Sequence, residues 1–273
     1  MMPHIGINYS SVILFYRRGG LGDTLLTFPV LELLKKRGER IFAVGNTDYL
    51  KIAKELGWVD EVHYQIPERE FSKVISISVD GNIKPFPDER RWIVEYYLKS
   101  LRLEGNFSLT LDLPTLRDNP LMDKAVLHPS SGSMRKNPDI ALFLRIEEYL
   151  RKHGYEVVYL VGEADEWIKG YVSRFVQVND PLNMAKALKG AKLFVGNDSG
   201  VSHLASYVGL PSFIFYGPTD VVVWKPIGER VFQISLNLAC SPCFPNTCKE
   251  RDCLNKDRLF KSFVEATRSL LPL

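Results

Sequence analysis

Asp198, Ser199, Gly200 and His203 fall in a single stretch, residues 193 to 220, LFVGNDSGVSHLASYVGLPSFIFYGPTD. Leu193 to Val195 reads as a buried strand, and the run from Gly196 to Gly200 breaks it. Val201, Leu204, Ala205 and Val208 then recur at helical spacing until Gly209 and Pro211, and Phe213 to Tyr216 reads as a second buried strand. Strand, turn, helix and strand make a βαβ unit whose first turn sets Asp198, Ser199 and Gly200 at a helix N-terminus. Unpaired amides and the positive end of the helix dipole favour an anion there, most often a phosphate. The same residue types are what any helix N-terminus prefers as caps, so the turn reads equally as a phosphate cradle or a plain cap. His203, one turn into the helix, is either a satisfied structural residue or a ligand.

Other clusters carry residue types suited to the same task. Gly19-Gly20-Leu21-Gly22-Asp23 follows the apolar run Val12 to Tyr16. It has neither the Lys-Ser/Thr of a Walker loop nor the spacing of a G-x-G-x-x-G fingerprint. Asp23 is then either the N-cap of the next helix or a carboxylate at the mouth of a cleft. HPSSGSMRKNP, residues 128 to 138, also follows a strand. Its Ser131, Ser133 and Lys136 can line a pyrophosphate together with backbone amides, though a solvated polar loop has the same composition. Glu163 follows Gly162 at a strand end and is aimed at a cleft by the same logic, although capping Glu residues are common at such places. Cys240, Cys243, Cys248 and Cys253, spaced x2, x4 and x4, are able to bind a structural Zn²⁺ with four thiolates. Reduced thiols or disulfides are the other readings.

Two rounds of strand and helix alternation position these residues. The first runs from the Val12 strand through a helix over Thr24 to Arg37, with Pro29 in or kinking its first turn. A strand over Ile41 to Val44, a helix over Asp48 to Leu56 and a short strand over Glu61 to Tyr64 follow. A strand at Phe71 to Val79, a helix at Glu89 to Leu103 and a last strand at Asn106 to Leu113 complete this half. The Pro-containing stretch Leu113 to Pro120 reads as a linker. The second round has strands at Ala125 to His128, Glu156 to Val161 and Phe175 to Val178, and helices from Asp139, from Ala164 and over Pro181 to Leu188. An amphipathic helix from about Asp257 to Leu271 closes the chain. The fold class is therefore α/β, with domains at residues 1–117 and 118–256 and a terminal helix at 257–273.

Composition limits the function. The 273 residues are 45% hydrophobic and 25% charged, ordinary for a soluble globular protein, and suffice for two cores. A formal net charge of +3 does not argue nucleic-acid binding. No apolar run approaches the ~20 residues of a membrane span, and the first is too short for a signal peptide, so a cytoplasmic protein is expected.

Taken together, GGLGDTLLTFPVL, HPSSGSMRKNP and VGNDSGVSHLASYVGLPSFIFYGPTD resemble the ADP-heptose:lipopolysaccharide heptosyltransferases, inverting enzymes of glycosyltransferase family 9. CSPCFPNTCKERDCL resembles the cysteine-containing tail of many members. The resemblance implies a GT-B fold, two Rossmann-like domains facing across a cleft, with an acceptor-side half that is short for the family. It implies Asp23 as general base and Ser131, Ser133 and Lys136 along the donor diphosphate. Glu163 would bind the donor ribose, and Asp198, Ser199, Gly200 and His203 the nucleotide diphosphate. The glycine-rich turn of Gly19, Gly20 and Gly22 would carry the base. It further implies a nucleotide-sugar donor, ADP-heptose, a lipopolysaccharide-core-type acceptor, metal-independent transfer and transient contact with the inner membrane face. The terminal helix would pack back on the N-terminal domain. Two alternatives remain: another nucleotide sugar and acceptor on the same fold, or a non-catalytic nucleotide-binding or interaction module.

Overall fold

A computed structural model describes residues 12–244, 248 and 250–268; the side chains of residues 163 and 164 lie outside this description. Two parallel sheets organise it. The first has the order β3-β2-β1-β4, built from β1 (Val12–Arg17), β2 (Arg40–Gly45), β3 (Glu61–His63) and β4 (Lys73–Ser76). The second has the order β10-β9-β8-β5-β6-β7. Its strands are β5 (Ala125–His128), β6 (Val157–Val161), β7 (Phe175–Gln177), β8 (Leu193–Asn197), β9 (Ser212–Tyr216) and β10 (Val231–Ser235). Both orders reverse once, beside β1 in the first sheet and beside β5 in the second. Ligands of open α/β sheets bind at the carboxyl ends of the strands flanking that reversal.

Between strands run α1 (Leu21–Leu25), α2 (Phe28–Lys36), α3 (Thr47–Glu55), α4 (Ile93–Leu101), α5 (Ile140–Lys152), α6 (Pro181–Leu188) and α7 (Gly200–Tyr207), and α8 (Lys256–Thr267) follows β10. Buried strands read as continuous apolar runs, because helices cover both faces of a parallel sheet. Accordingly all five residues of β6, β8 and β9 are buried. One apolar core joins the two sheets, with Phe15, Phe28 and Leu50 meeting Leu188, Leu204 and Tyr207. A second lies on the far face of the second sheet, where Phe143, Phe213, Phe215 and Phe263 interlock.

Several expectations are corrected. The expected Thr24 to Arg37 helix is two: Gly20 caps α1, and α2 begins after Thr27 with Pro29 in its first turn. Asn106 to Leu113 is no strand. It crosses between α2 and α7, where Glu32 accepts bonds from the amide and hydroxyl of Ser108 and Tyr207 O accepts the Leu111 amide. The segment after Gly162 is a 3-10 turn, Glu163–Gly170, instead of an α-helix. β10 went unread because most of this edge strand is only half buried and carries no strict alternation. The terminal helix, as far as it is described, packs on the second sheet and not on the N-terminal half. Leu259 and Phe263 enter the far-face core, Arg145 on α5 pairs with Asp257, and the Tyr149 and Thr267 hydroxyls lie 3.3 Å apart. An apolar face that finds a core within its own half gains nothing by crossing to the other. Residues 269–273 of the expected helix lie outside the described residues.

The two halves meet most closely where α1 abuts α7. A Cβ on Gly200 would lie 2.8 Å from Leu21 Cβ and 3.0 Å from the Gly22 amide nitrogen, and one on Gly22 would lie 2.9 Å from His203 Cδ2. Neither Leu21 Cβ nor a backbone nitrogen can swing aside, so a side chain at residue 200 must push the halves apart. Gly200→Ala is expected to cost about 1–3 kcal/mol, the usual cost of overpacking, seen as a Tm lowered by several degrees. An unchanged Tm in thermal denaturation would show that the contact yields freely.

Candidate functional site

Three turns converge at the carboxyl ends of β1, β5 and β8. The turn after β1 carries Gly19 to Asp23. Gly20 is the N-cap of α1, and Asp23, at its third residue, reaches back so that Oδ2 accepts the Gly20 N–H at 3.0 Å. Asp23 is thus not the N-cap that one sequence reading made it. Its other oxygen lies 3.2 Å from Arg17 Nη2, and its side chain remains 39% exposed. The carboxylate is anchored at both oxygens yet open on one side. Cβ-less Gly19 permits this, since a Cβ there would lie 2.9 Å from Asp23 Cβ.

The turn after β8 carries Asp198 and Ser199, both nearly buried. Ser199 is the N-cap of α7, its hydroxyl accepting the Ser202 N–H. The cap reading of this serine is therefore met, while Gly200 begins the helix against the α1 turn. Lys136, on the 3-10 turn Met134–Lys136 after β5, brings Nζ to 3.1 Å from Asp198 Oδ2. His203 Nε2 stands 3.9 Å from Asp198 Oδ1, and its Nδ1 is buried without a partner. Burial holds the His203 pKa below 6.5, with Lys136 adding to the effect and Asp198 opposing it, so the imidazole is neutral at neutral pH. A lysine paired with Asp198, a neutral ring and the first amides of α7 thus face a carboxylate on the opposite half. The first turn of α7 has the character of an anion site, and the carboxylate that faces it keeps one side open to solvent.

The loop after β5 is braced from within. Ser131 Oγ lies within donating distance of Ser133 O at 2.8 Å and of Asn137 Oδ1 at 2.6 Å. Asn197 Nδ2 donates to the same Asn137 oxygen at 3.2 Å. Ser131 therefore shapes the loop, and Ser133 caps its 3-10 turn at a half-buried position. Glu163 begins the 3-10 turn after β6, but its side chain is outside the described part.

Sequence reasoning missed several neighbours. Asn137 and Asn197 couple the β5 and β8 turns; Asn197 was visible as a polar residue ending a buried run, whereas Asn137, in the loop after β5, gave no such signal. Buried His128 bonds Leu160 O through Nδ1 and faces Asp165 across 3.9 Å. Arg251 donates to Met134 O and Asn137 O, tying the tail to the lysine loop. Arg17, on the last residue of β1, was visible only as a cation ending an apolar strand.

The cysteine segment folds over the same loop, with the amides of Cys243 and Phe244 both donating to Pro218 O and Phe244 beneath Lys136. Cys243, Cys248 and Cys253 border a cavity of about 30 Å³. They do not form a ligand set: among the described residues no group of three or more His, Cys, Asp or Glu is placed to hold a metal ion. Cys253 is buried against Gly217, whereas Cys240 and Cys248 are exposed. Burial first, and neighbouring thiols second, hold Cys243 and Cys253 above the usual thiol pKa, so both are protonated at neutral pH. The expected zinc site is corrected accordingly. Among the described residues no helix is long and apolar enough to cross a membrane.

The family model described as glycosyltransferase family 9 (heptosyltransferase) matches residues 93–254. Lipooligosaccharide heptosyltransferase 2 of Campylobacter jejuni subsp. jejuni serotype O:2 is 24% identical over 251 residues, 81% of this chain and 78% of that protein. Among solved structures, the glycosyl transferase family 9 from Veillonella parvula superposes with a TM-score of 0.74 at 15% identity, covering 96% of this chain and 97% of that one. E. coli heptosyltransferase WaaC with ADP superposes with a TM-score of 0.68 at 17% identity, covering 93% and 99%. The architecture is the GT-B fold.

Proposed function

Because the chain belongs to glycosyltransferase family 9 and is a glycosyltransferase, we propose that it moves a heptose from ADP-heptose to an acceptor of lipopolysaccharide-core type, in one inverting displacement. The observation that carries this reading is Asp23, anchored but open, on a turn packed against the N-terminus of α7 beside Lys136. The acceptor oxygen attacks the anomeric carbon while the bond to the diphosphate oxygen breaks from the opposite face. That oxygen leaves with the electron pair, and Asp23 takes the acceptor's proton. The amides of Ser199 and Gly200, with Lys136, receive the charge growing on the diphosphate, so no divalent metal is needed. Ser131 and Ser133 shape the loop that carries Lys136, His203 adds a neutral donor, and Glu163 takes the ribose.

The ADP in the WaaC complex and the lipooligosaccharide named for the Campylobacter relative support the choice of donor and acceptor. The same reading divides the chain at residue 117/118 into acceptor and donor domains that close about the 113–120 connection. It sets the protein in the cytoplasm, meeting its lipid-linked acceptor at the inner membrane face.

Calorimetry of the protein with ADP, UDP and GDP, with and without EDTA, tests the reading. Preferential ADP binding that EDTA leaves unchanged is expected. Preference for UDP or GDP would discard heptose, and no nucleotide binding at all would discard the transferase site.

A further inference from the structure

We propose that Arg17 is a positioning residue for the reaction, holding the Asp23 carboxylate in the orientation that receives the acceptor proton. The inference rests on the reading of Asp23 as base. Arg17 ends β1, the strand beside the sheet reversal, and its side chain is only 5% exposed. Nη1 donates to Ile77 O at 3.3 Å, just past β4, and Nη2 meets Asp23 Oδ1 at 3.2 Å. Nε is buried with no partner at all.

This is a poor arrangement for stability alone. A buried guanidinium with an orphaned N–H costs free energy, and an apolar residue is commonly as stable in such a place. Gly19 makes room for it, since a Cβ there would lie 3.1 Å from Nη2. The arginine side chain is nearly buried whereas the carboxylate it meets is open to solvent, so it acts through Asp23 and not on substrate. Arg17 fixes Oδ1 and the Gly20 amide fixes Oδ2, which restrains both oxygens of a carboxylate that stays partly exposed. Groups within electrostatic reach of Asp23 include Tyr97 on α4 and His203 on α7, across the cleft. Neither restrains the carboxylate by a hydrogen bond.

The test compares Arg17→Gln, Arg17→Lys, Asp23→Asn and the Arg17→Gln/Asp23→Asn double variant. ADP-heptose and a heptose-deficient lipopolysaccharide core serve as substrates. Arg17→Gln is expected to lower kcat about 10²-fold, the scale of a small misplacement of a catalytic group. Donor KM and ADP affinity should stay within about threefold, since a positioning loss falls on the transition state alone. Arg17→Lys, which keeps a cation behind the carboxylate, should recover about tenfold of that loss on the same scale. The double variant should be no slower than Asp23→Asn, because residues acting as one unit do not add. Should Arg17→Gln fail to fold, Arg17→Lys alone carries the test, with an expected tenfold deficit that vanishes in the Asp23→Asn background.

An Arg17→Gln or Arg17→Lys enzyme with wild-type kcat overturns the proposal, as do losses that multiply in the double variant. Full activity in Asp23→Asn would instead remove the base reading. An inactive Asp23→Asn beside an active Arg17→Gln removes the positioning role alone.

Discussion

Asp23→Asn is expected to lower kcat by about 10²–10⁴-fold, the range for loss of a positioned general base, while ADP binds as before. The substitution is isosteric and leaves an oxygen to accept the Gly20 amide or meet Arg17. What it removes is the capacity to take a proton, worth about 3–5 kcal/mol of barrier on that range. Stability is expected to fall as well, since Asp23 is the counter-charge of the nearly buried Arg17 guanidinium, while the 39% exposure of the carboxylate limits the loss. The proposed diphosphate anchor is on the other half, so calorimetric titration with ADP isolates binding from chemistry. Equal loss of ADP affinity would mean that Asp23 supports the donor site and is no base. Wild-type turnover would send the search for the base elsewhere.

Lys136→Gln ranks second, with an expected fall in kcat/KM of about 10²–10³-fold, the usual loss when one preorganised stabiliser of developing charge is removed. Its Nζ is 3.1 Å from Asp198, whose side chain is 7% exposed. On the proposed reading a diphosphate at the start of α7 would arrive beside a nearly buried carboxylate, with Lys136 as the cation between the two. Removing it leaves two anions face to face. Both ADP affinity and turnover should suffer, unlike in Asp23→Asn. Adding Asp198→Asn should restore much of the ADP affinity, since the repulsion goes, but not the turnover. Steady-state kinetics and calorimetry on the pair check this, and a single variant with unchanged ADP affinity would place the donor away from Lys136.

The four cysteines show how closely composition and placement must agree. Their spacing is compatible with a metal, yet Cys253 is drawn into the core by Leu254 and Gly217 while Cys240 and Cys248 face solvent. The thiols are near enough to raise one another's pKa, but among the described residues no three of them are placed to hold an ion. The tail instead braces the lysine loop through Arg251.

Sequence alone determined the elements and the turns that matter. Buried parallel strands are continuous apolar runs, helices repeat every 3.6 residues, and caps are chosen by local hydrogen bonds, so all three are written within a few residues. That is why Leu193–Asn197, Gly200–Tyr207 and Pro181–Leu188 were legible to within a residue or two. The candidate residues at Asp23, Lys136 and Asp198 followed because turns after such strands face a cleft. Tertiary structure decided the rest. Gly22 against Gly200, Arg17 behind Asp23 and Lys136 on Asp198 join residues far apart in the chain, and no local pattern encodes a partner at that range. Edge strand β10, the crossing segment at Ser108 and the side on which α8 packs were likewise settled by which apolar surface was nearest once the sheets had formed. Spacing along the chain assigns a residue to a face; only the packed sheets assign that face its neighbour.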